Sequence, residues 1–218
     1  SYVPLRMQVY DALREAILSG RLNPGDHLTE EKVCSQLGVS RSPLREALRR
    51  LETEGLVRIE PRRGVVVTEL SQGDLADLFA VRKSLEGLAT ALAAKCITAE
   101  ELAKLREICA EMGRCIDAGD VPAVPTLNSQ YHEVIILAAR NRWLKGFMVS
   151  LRDHIQRIYS SSIQAPDRAS QSLKEHLQIN EALCNRDAEA AERLAKEHLQ
   201  HAEEVAVLIG HKASRGSD

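Results

Sequence analysis

Apolar positions recur at helical spacing from the start of the chain. Val9, Leu13, Ala16 and Ile17 share one face of a segment over residues 8–19, which Gly20 ends. A turn at Asn23-Pro24-Gly25-Asp26 follows. Thr29 then reads as the N-cap of a short helix whose buried side is Val33 and Leu37, and Gly38 supplies a sharp corner. The next helix is capped by Ser40 or Ser42, tolerates Pro43 in its first turn and stops at Gly55. Its Leu44, Ala47, Leu48 and Leu51 form one face. Beyond Gly55 the period drops to two: Leu56-Val57-Arg58-Ile59-Glu60 and Val65-Val66-Val67 flank Pro61-Arg62-Arg63-Gly64, which predicts a two-stranded hairpin with a basic tip. Helices about a glycine corner followed by such a hairpin describe a winged helix-turn-helix.

Residues 71–218 contain helix starts and no strand pattern. Ser71 with Asp74, and Thr98 with Glu101, are N-caps with an acid three residues on. They open helices reaching about Cys96 and Gly119. A third helix begins near Asp120, where Pro122 suits a first turn and Pro125 requires a late start or a kink. Segments 142–162, 166–185 and 187–210 complete about six helices with short connections, as in a bundle. The expected fold is therefore mainly α: a winged helix-turn-helix over residues 1–70, then an all-α domain over 71–218.

Composition changes this picture little until charge is counted by segment. The 218 residues carry a net charge of −2, with only 3% aromatics, which leaves little material for stacking single-stranded bases. Residues 1–70 hold 11 basic and 10 acidic side chains, and between Arg41 and Arg63 seven arginines face four glutamates. Arg41, Arg45 and Arg49 lie at i, i+4 and i+8 on the helix after the glycine corner. There a guanidinium can reach guanine O6 and N7 in a major groove, or pair with neighbouring glutamates as ordinary surface. Arg50 points off that row, toward a phosphate. Arg62 and Arg63 at the hairpin tip, beside an unobstructed Gly64, shift the balance to duplex DNA. The candidate DNA contacts are Arg41, Ser42, Arg45, Arg49, Arg50, Arg62, Arg63 and Gly64.

Five cysteines, odd in number and without a C-x-x-C pair, fit free thiols in a reducing cytoplasm. Neither a basic-then-apolar leader nor a run of about 18 apolar residues is present, so a cytoplasmic protein with no membrane partner is expected. In the helical domain Asn128 and His132 share a helix face, and His176 and His198 lie on later helices. Were these faces to turn inward, three imidazoles and an amide oxygen would converge as a transition-metal site; otherwise they are ordinary core or surface residues. Arg82 and Glu86, one turn apart, read as a simple surface pair. His27 and His211 read as surface residues, and His154 and His201 as bystanders, although His201 is close enough to His198 to support it.

The stretches Gly20-x-Leu22-x-Pro24-Gly25, Leu28-x-Glu30, Leu37-Gly38-Val39-Ser40-Arg41-Ser42-Pro43-Leu44-Arg45-Glu46-Ala47-Leu48, Glu54-Gly55-Leu56-Val57 and Arg63-Gly64 resemble the signature of GntR-family bacterial transcription regulators. The helical half, through Asn128-Ser129-Gln130-Tyr131-His132, Glu175-His176-x-x-Ile179 and Lys196-Glu197-His198-Leu199, resembles the FCD effector domain of the FadR-type subfamily. The resemblance implies a homodimer on double-stranded operator DNA, with Arg41, Arg45 and Arg49 meeting the operator and Gly64 at the wing tip. It also implies a metal held by Asn128, His132, His176 and His198, zinc by default with nickel or manganese open. Asn128 stands where metal-binding members carry Asp. Arg82 would face a cavity and bind the carboxylate of a small organic or sugar acid, with Glu86, Arg152 and Tyr159 as further pocket candidates. The reading is a ligand-responsive repressor. The competing one, a metal-dependent enzyme of small carboxylates, lacks a motif, since Ile136 breaks the H-E-x-x-H pattern begun by His132-Glu133, and it leaves the arginine row unexplained.

Overall fold

The computed structural model describes residues 3–60, 64–69, 71–162 and 167–215; within these, the side chains at 121, 150, 152, 153, 156–162 and 209–215 are not described. The chain divides into two compact units, Ser1–Leu70 and Ser71–Asp218.

The first unit contains α1 (Leu5–Leu18), β1 (His27–Leu28), α2 (Glu30–Leu37), α3 (Arg41–Thr53), β2 (Val57–Glu60) and β3 (Gly64–Val67). Its core is the leucine face of α3, with Leu44, Ala47, Leu48 and Leu51 buried against Val9, Leu13 and Ile17 of α1, Val33 of α2 and Leu56, Val65 and Val67 of the sheet. Thr29 caps α2 by accepting from the Lys32 amide, and Gly38 ends it at φ 65, a left-handed conformation that turns the chain into α3. Ser40 is the α3 N-cap residue, although no side-chain bond is made there.

Two expectations are corrected. The sheet has three strands, ordered β1-β3-β2, because His27 and Leu28 pair with Val66 and Val65. A two-residue strand is too short to leave an alternating pattern. Leu37 is 38% exposed rather than buried. It is the last residue of a helix of 8, so the chain turns away at Gly38 before Leu37 is covered.

The second unit is made of α4 (Gln72–Cys96), α5 (Ala99–Asp117), a 3-10 turn (Val121–Ala123), α6 (Val124–Ala138), α7 (Arg142–Ser162), α8 (Arg168–Cys184) and α9 (Ala188–Arg215). Capping boxes at Ser71/Asp74 and Thr98/Glu101 are complete, each side chain reaching the other's backbone amide. The proline problem is solved by breaking the segment in two: Pro122 lies in the 3-10 turn and Pro125 in the first turn of α6, where no helical amide partner is lost. The long α4 packs most extensively on α9 and also touches α6, α7 and α8. Its buried residues Ala89, Ala91, Ala93 and Ala94 are small enough to let neighbours approach closely. No helix among the described residues is long and apolar enough to cross a membrane.

Candidate functional site

In the N-terminal unit α3 separates its two faces cleanly. Arg41, Ser42, Arg45, Arg49 and Arg50 are all exposed while the leucine face is buried. Arg45 is gripped by Glu30 of α2, through Nε at 2.8 Å from Oε1 and Nη2 at 3.0 Å from Oε2. Hydrogen bonding to Arg45 is the main cause that holds the Glu30 carboxyl below its usual range. Arg50 is not part of the row. Its guanidinium sits 3.8 Å from the Tyr10 ring centroid and its Nε donates to Glu54 at 3.0 Å. Tyr10 in turn donates to Glu54 at 2.6 Å; burial, then the bond to Glu54, pushes its hydroxyl up to about 12. Arg62 and Arg63 lie outside the described residues. Gly64 lies within them and has a structural reason of its own: at φ +95, a Cβ there would lie 2.7 Å from the Leu28 carbonyl oxygen, across the β1–β3 pair.

In the helical unit α6, α8 and α9 bring His132, His176 and His198 together, one ligand-capable atom of each lying within 4.8 Å of the others. Glu86 of α4 accepts from His132 Nδ1 at 2.7 Å through Oε2, and from Arg82 Nε at 2.5 Å through Oε1. Glu175 of α8 accepts from His198 Nδ1 at 2.6 Å, His201 Nδ1 at 2.7 Å and Arg168 Nη1 at 2.9 Å. A carboxylate can only accept, so the proton sits on Nδ1 of His132 and His198, and each ring turns an Nε2 lone pair the other way. His176 stacks on Tyr131 at 3.8 Å between centroids. Both of its ring nitrogens, and Nε2 of His198, are buried without a hydrogen-bond partner among the described residues.

Burial, and then the neighbouring imidazoles and Arg168, hold His176 and His198 well below the usual histidine range, which keeps them neutral. For Glu86, burial raises the carboxyl, but the charge of Arg82 and the hydrogen bonds from His132 and Arg82 outweigh it and hold the group ionised. Neutral, buried imidazoles at His176 and His198, with the rings of His132 and His198 oriented by carboxylates, suit a borderline cation, so the donor set fits a divalent transition metal. Asn128 is 1% exposed one turn before His132, with its Oδ1 3.5 Å from Ser172 Oγ.

A cavity of about 240 Å³ opens beside this cluster. Arg82, Glu86, Asn128, His132 and Lys145 line it, with Ile136, Met148 and Val149 as apolar wall. Arg82 and Glu86 therefore form a buried pair, at 2% and 4% exposure, and not a surface one. Both Glu86 oxygens are engaged, Oε1 by Arg82 and Oε2 by His132. Arg152 and Tyr159 fall on α7, but their side chains lie outside the described residues. The sequence pattern does not single out Arg168, and it shows Glu175 only within the Glu175-His176-x-x-Ile179 stretch, without a role. The one available signal was Glu175 directly preceding His176, and nothing in the spacing separated its role from that of a surface acid.

A family model for bacterial regulatory proteins of the gntR family matches residues 5–67, and an FCD domain model matches residues 77–201. The uncharacterised HTH-type transcriptional regulator YdhC of Bacillus subtilis is 32% identical over 87% of this chain and 85% of its own. The HTH-type transcriptional repressor RspR of Escherichia coli is 28% identical over 99% and 93%. Among solved structures, E. coli McbR/YncC superposes with a TM-score of 0.75 at 25% identity, covering 95% of this chain and 99% of that one. The matched domains are those of regulators and leave no place for the competing enzyme. With an exposed arginine row on the helix after the glycine corner and a matched helical partner domain, the chain belongs to the GntR family, as a DNA-binding transcription regulator carrying an FCD domain.

Proposed function

We propose that this regulator is a repressor, working in the cytoplasm as a homodimer on a roughly palindromic operator and released by a small organic or sugar acid. The observation that carries the reading is the convergence of His132, His176 and His198 beside a cavity lined by Arg82. These histidines, with Asn128, would hold a divalent cation, zinc by default and nickel or manganese as alternatives. When bound, such an ion supplies a Lewis-acidic position for an anionic oxygen. Glu86 and Glu175 keep the His132 and His198 rings aligned. Arg82 supplies positive charge at the cavity wall, and the apolar wall favours the carbon skeleton of an acid over inorganic anions.

DNA reading belongs to Arg41, Arg45 and Arg49, each of which can meet a guanine edge or a phosphate. Arg62, Arg63 and Gly64 would serve the wing. Release of DNA requires that the acid bind one state of the dimer better than the other. The test is a gel-shift titration of the operator complex with a panel of small carboxylates, with zinc, nickel or manganese present and after chelation. The reading expects one class of acid to dissociate the complex only with metal present. Indifference of the complex to every acid in both conditions contradicts it.

A further inference from the structure

The bond between Glu30 and Arg45 joins the two helices of the DNA-reading head, and its geometry divides the guanidinium in two. Arg45 Nε lies 2.8 Å from Oε1 and 3.1 Å from Oε2 of Glu30, and Nη2 lies 3.0 Å from Oε2. The Nε–H and one Nη2–H are therefore spent on the carboxylate. Of the five donors in the guanidinium plane, the Nη1 pair and the second Nη2–H remain on the outer edge. That outer edge is the one that fits O6 and N7 of guanine end-on. Resting on the reading of Arg45 as a base-contacting residue, we propose that Glu30 is a positioning residue for sequence discrimination: it fixes the Arg45 fork so that its outer edge meets a guanine.

The placement argues against a role in stability. The two side chains are 58% and 30% exposed, a setting in which ion pairs contribute little to folding. A carboxylate near the groove-facing side of α3 also repels phosphates, so it weakens DNA binding of every sequence. Its compensating gain is order: a free arginine side chain samples many rotamers and reaches phosphates as readily as bases, whereas a clamped one presents a single geometry. Arg41, whose charge also acts on Glu30, sits one turn earlier on the same face and adds to the field that keeps the carboxylate ionised.

Affinity and discrimination should consequently move in opposite directions when Glu30 is neutralised. The experiment uses the full chain and a duplex selected by it from a randomised library, with a scrambled duplex as reference. Fluorescence anisotropy gives Kd for both duplexes with the parent chain, Glu30→Gln, Arg45→Ala and the double variant. Glu30→Gln is expected to bind the scrambled duplex at least as tightly as the parent, while the preference for the selected duplex falls about tenfold. In the Arg45→Ala background, Glu30→Gln should cause no further loss of preference. A shift of both duplexes by one common factor would show a purely electrostatic or structural role and overturn the proposal. If Arg45→Ala itself leaves the preference unchanged, the base-reading role of Arg45 falls and the proposal with it. A preference lost in Arg45→Ala but kept in Glu30→Gln overturns the proposal alone.

Discussion

Arg45 and Glu30 make an ion pair with side chains 58% and 30% exposed, whereas Arg82 and Glu86 make the same pair of charges at 2% and 6%. In the first, water screens both partners and the arginine stays available to another molecule. In the second, both charges have been taken out of water, which is tolerable only because His132 and Arg82 saturate the carboxylate. Under the proposed function, the two units place charge for different kinds of ligand. A polyanion as large as a duplex comes to charges standing on a surface. A small ligand must be met by polar groups already held in place inside a fold.

Truncating one partner of the buried pair should produce the largest effect. Glu86→Ala leaves Arg82 buried without its carboxylate and frees the His132 ring, at a cost of about 3–5 kcal/mol to the helical unit. Urea denaturation followed by circular dichroism measures it, since this unit holds most of the helix. A loss below about 1 kcal/mol would mean that the pair is solvated and the contrast with Glu30–Arg45 is false. The next effect is in the N-terminal unit and is steric. Gly64→Ala forces a Cβ against the Leu28 carbonyl at a positive φ and should cost about 1–3 kcal/mol, read as a lower melting temperature of that unit. An unchanged melting temperature would leave Gly64 as a residue of the DNA contact alone.

Arg45→Ala sharpens the comparison from the other side. Unfolding should be unaffected within error, while discrimination between operator and scrambled duplex falls by about ten- to a hundredfold in anisotropy titrations. Loss of stability without loss of discrimination would place Arg45 with Arg82 as a structural cation. The smallest effect is at Tyr10. Tyr10→Phe removes the bond to Glu54 and should cost about 1 kcal/mol. Because the hydroxyl is raised to about 12 in the folded chain, its contribution is complete below pH 10 and is lost as pH rises toward 12. Alkaline melting curves of the parent chain and Tyr10→Phe should therefore converge over that window, and parallel curves would contradict the assignment.

The elements that could be read in the sequence are those specified by near neighbours. Thr98 with Glu101, Gly38 after Leu37, and the leucine spacing of α3 each lie within a few residues, and each appears in the structure in the expected place. Strand β1 escaped because its pairing with β3 joins residues far apart and spans only 2 positions. The same distance hid half of the helical cluster. Asn128 and His132 announce a shared face, but that Glu86 reaches His132 from α4 and Glu175 reaches His198 from α8 depends on how the helices pack. Exposed Leu37 and engaged Arg50 show the converse: a correct helical face does not say where the helix ends or what a long side chain folds back upon.

The central claim, that the buried histidines of the helical unit form a metal site, is tested most directly by elemental analysis. The full chain would be purified without chelators and compared with a His132→Ala/His176→Ala variant, both confirmed folded by circular dichroism. About one equivalent of zinc, nickel or manganese per parent chain, and only background in the variant, is the expected result. Equal metal in the two proteins, or none in either after incubation with all three ions and dialysis, would contradict it.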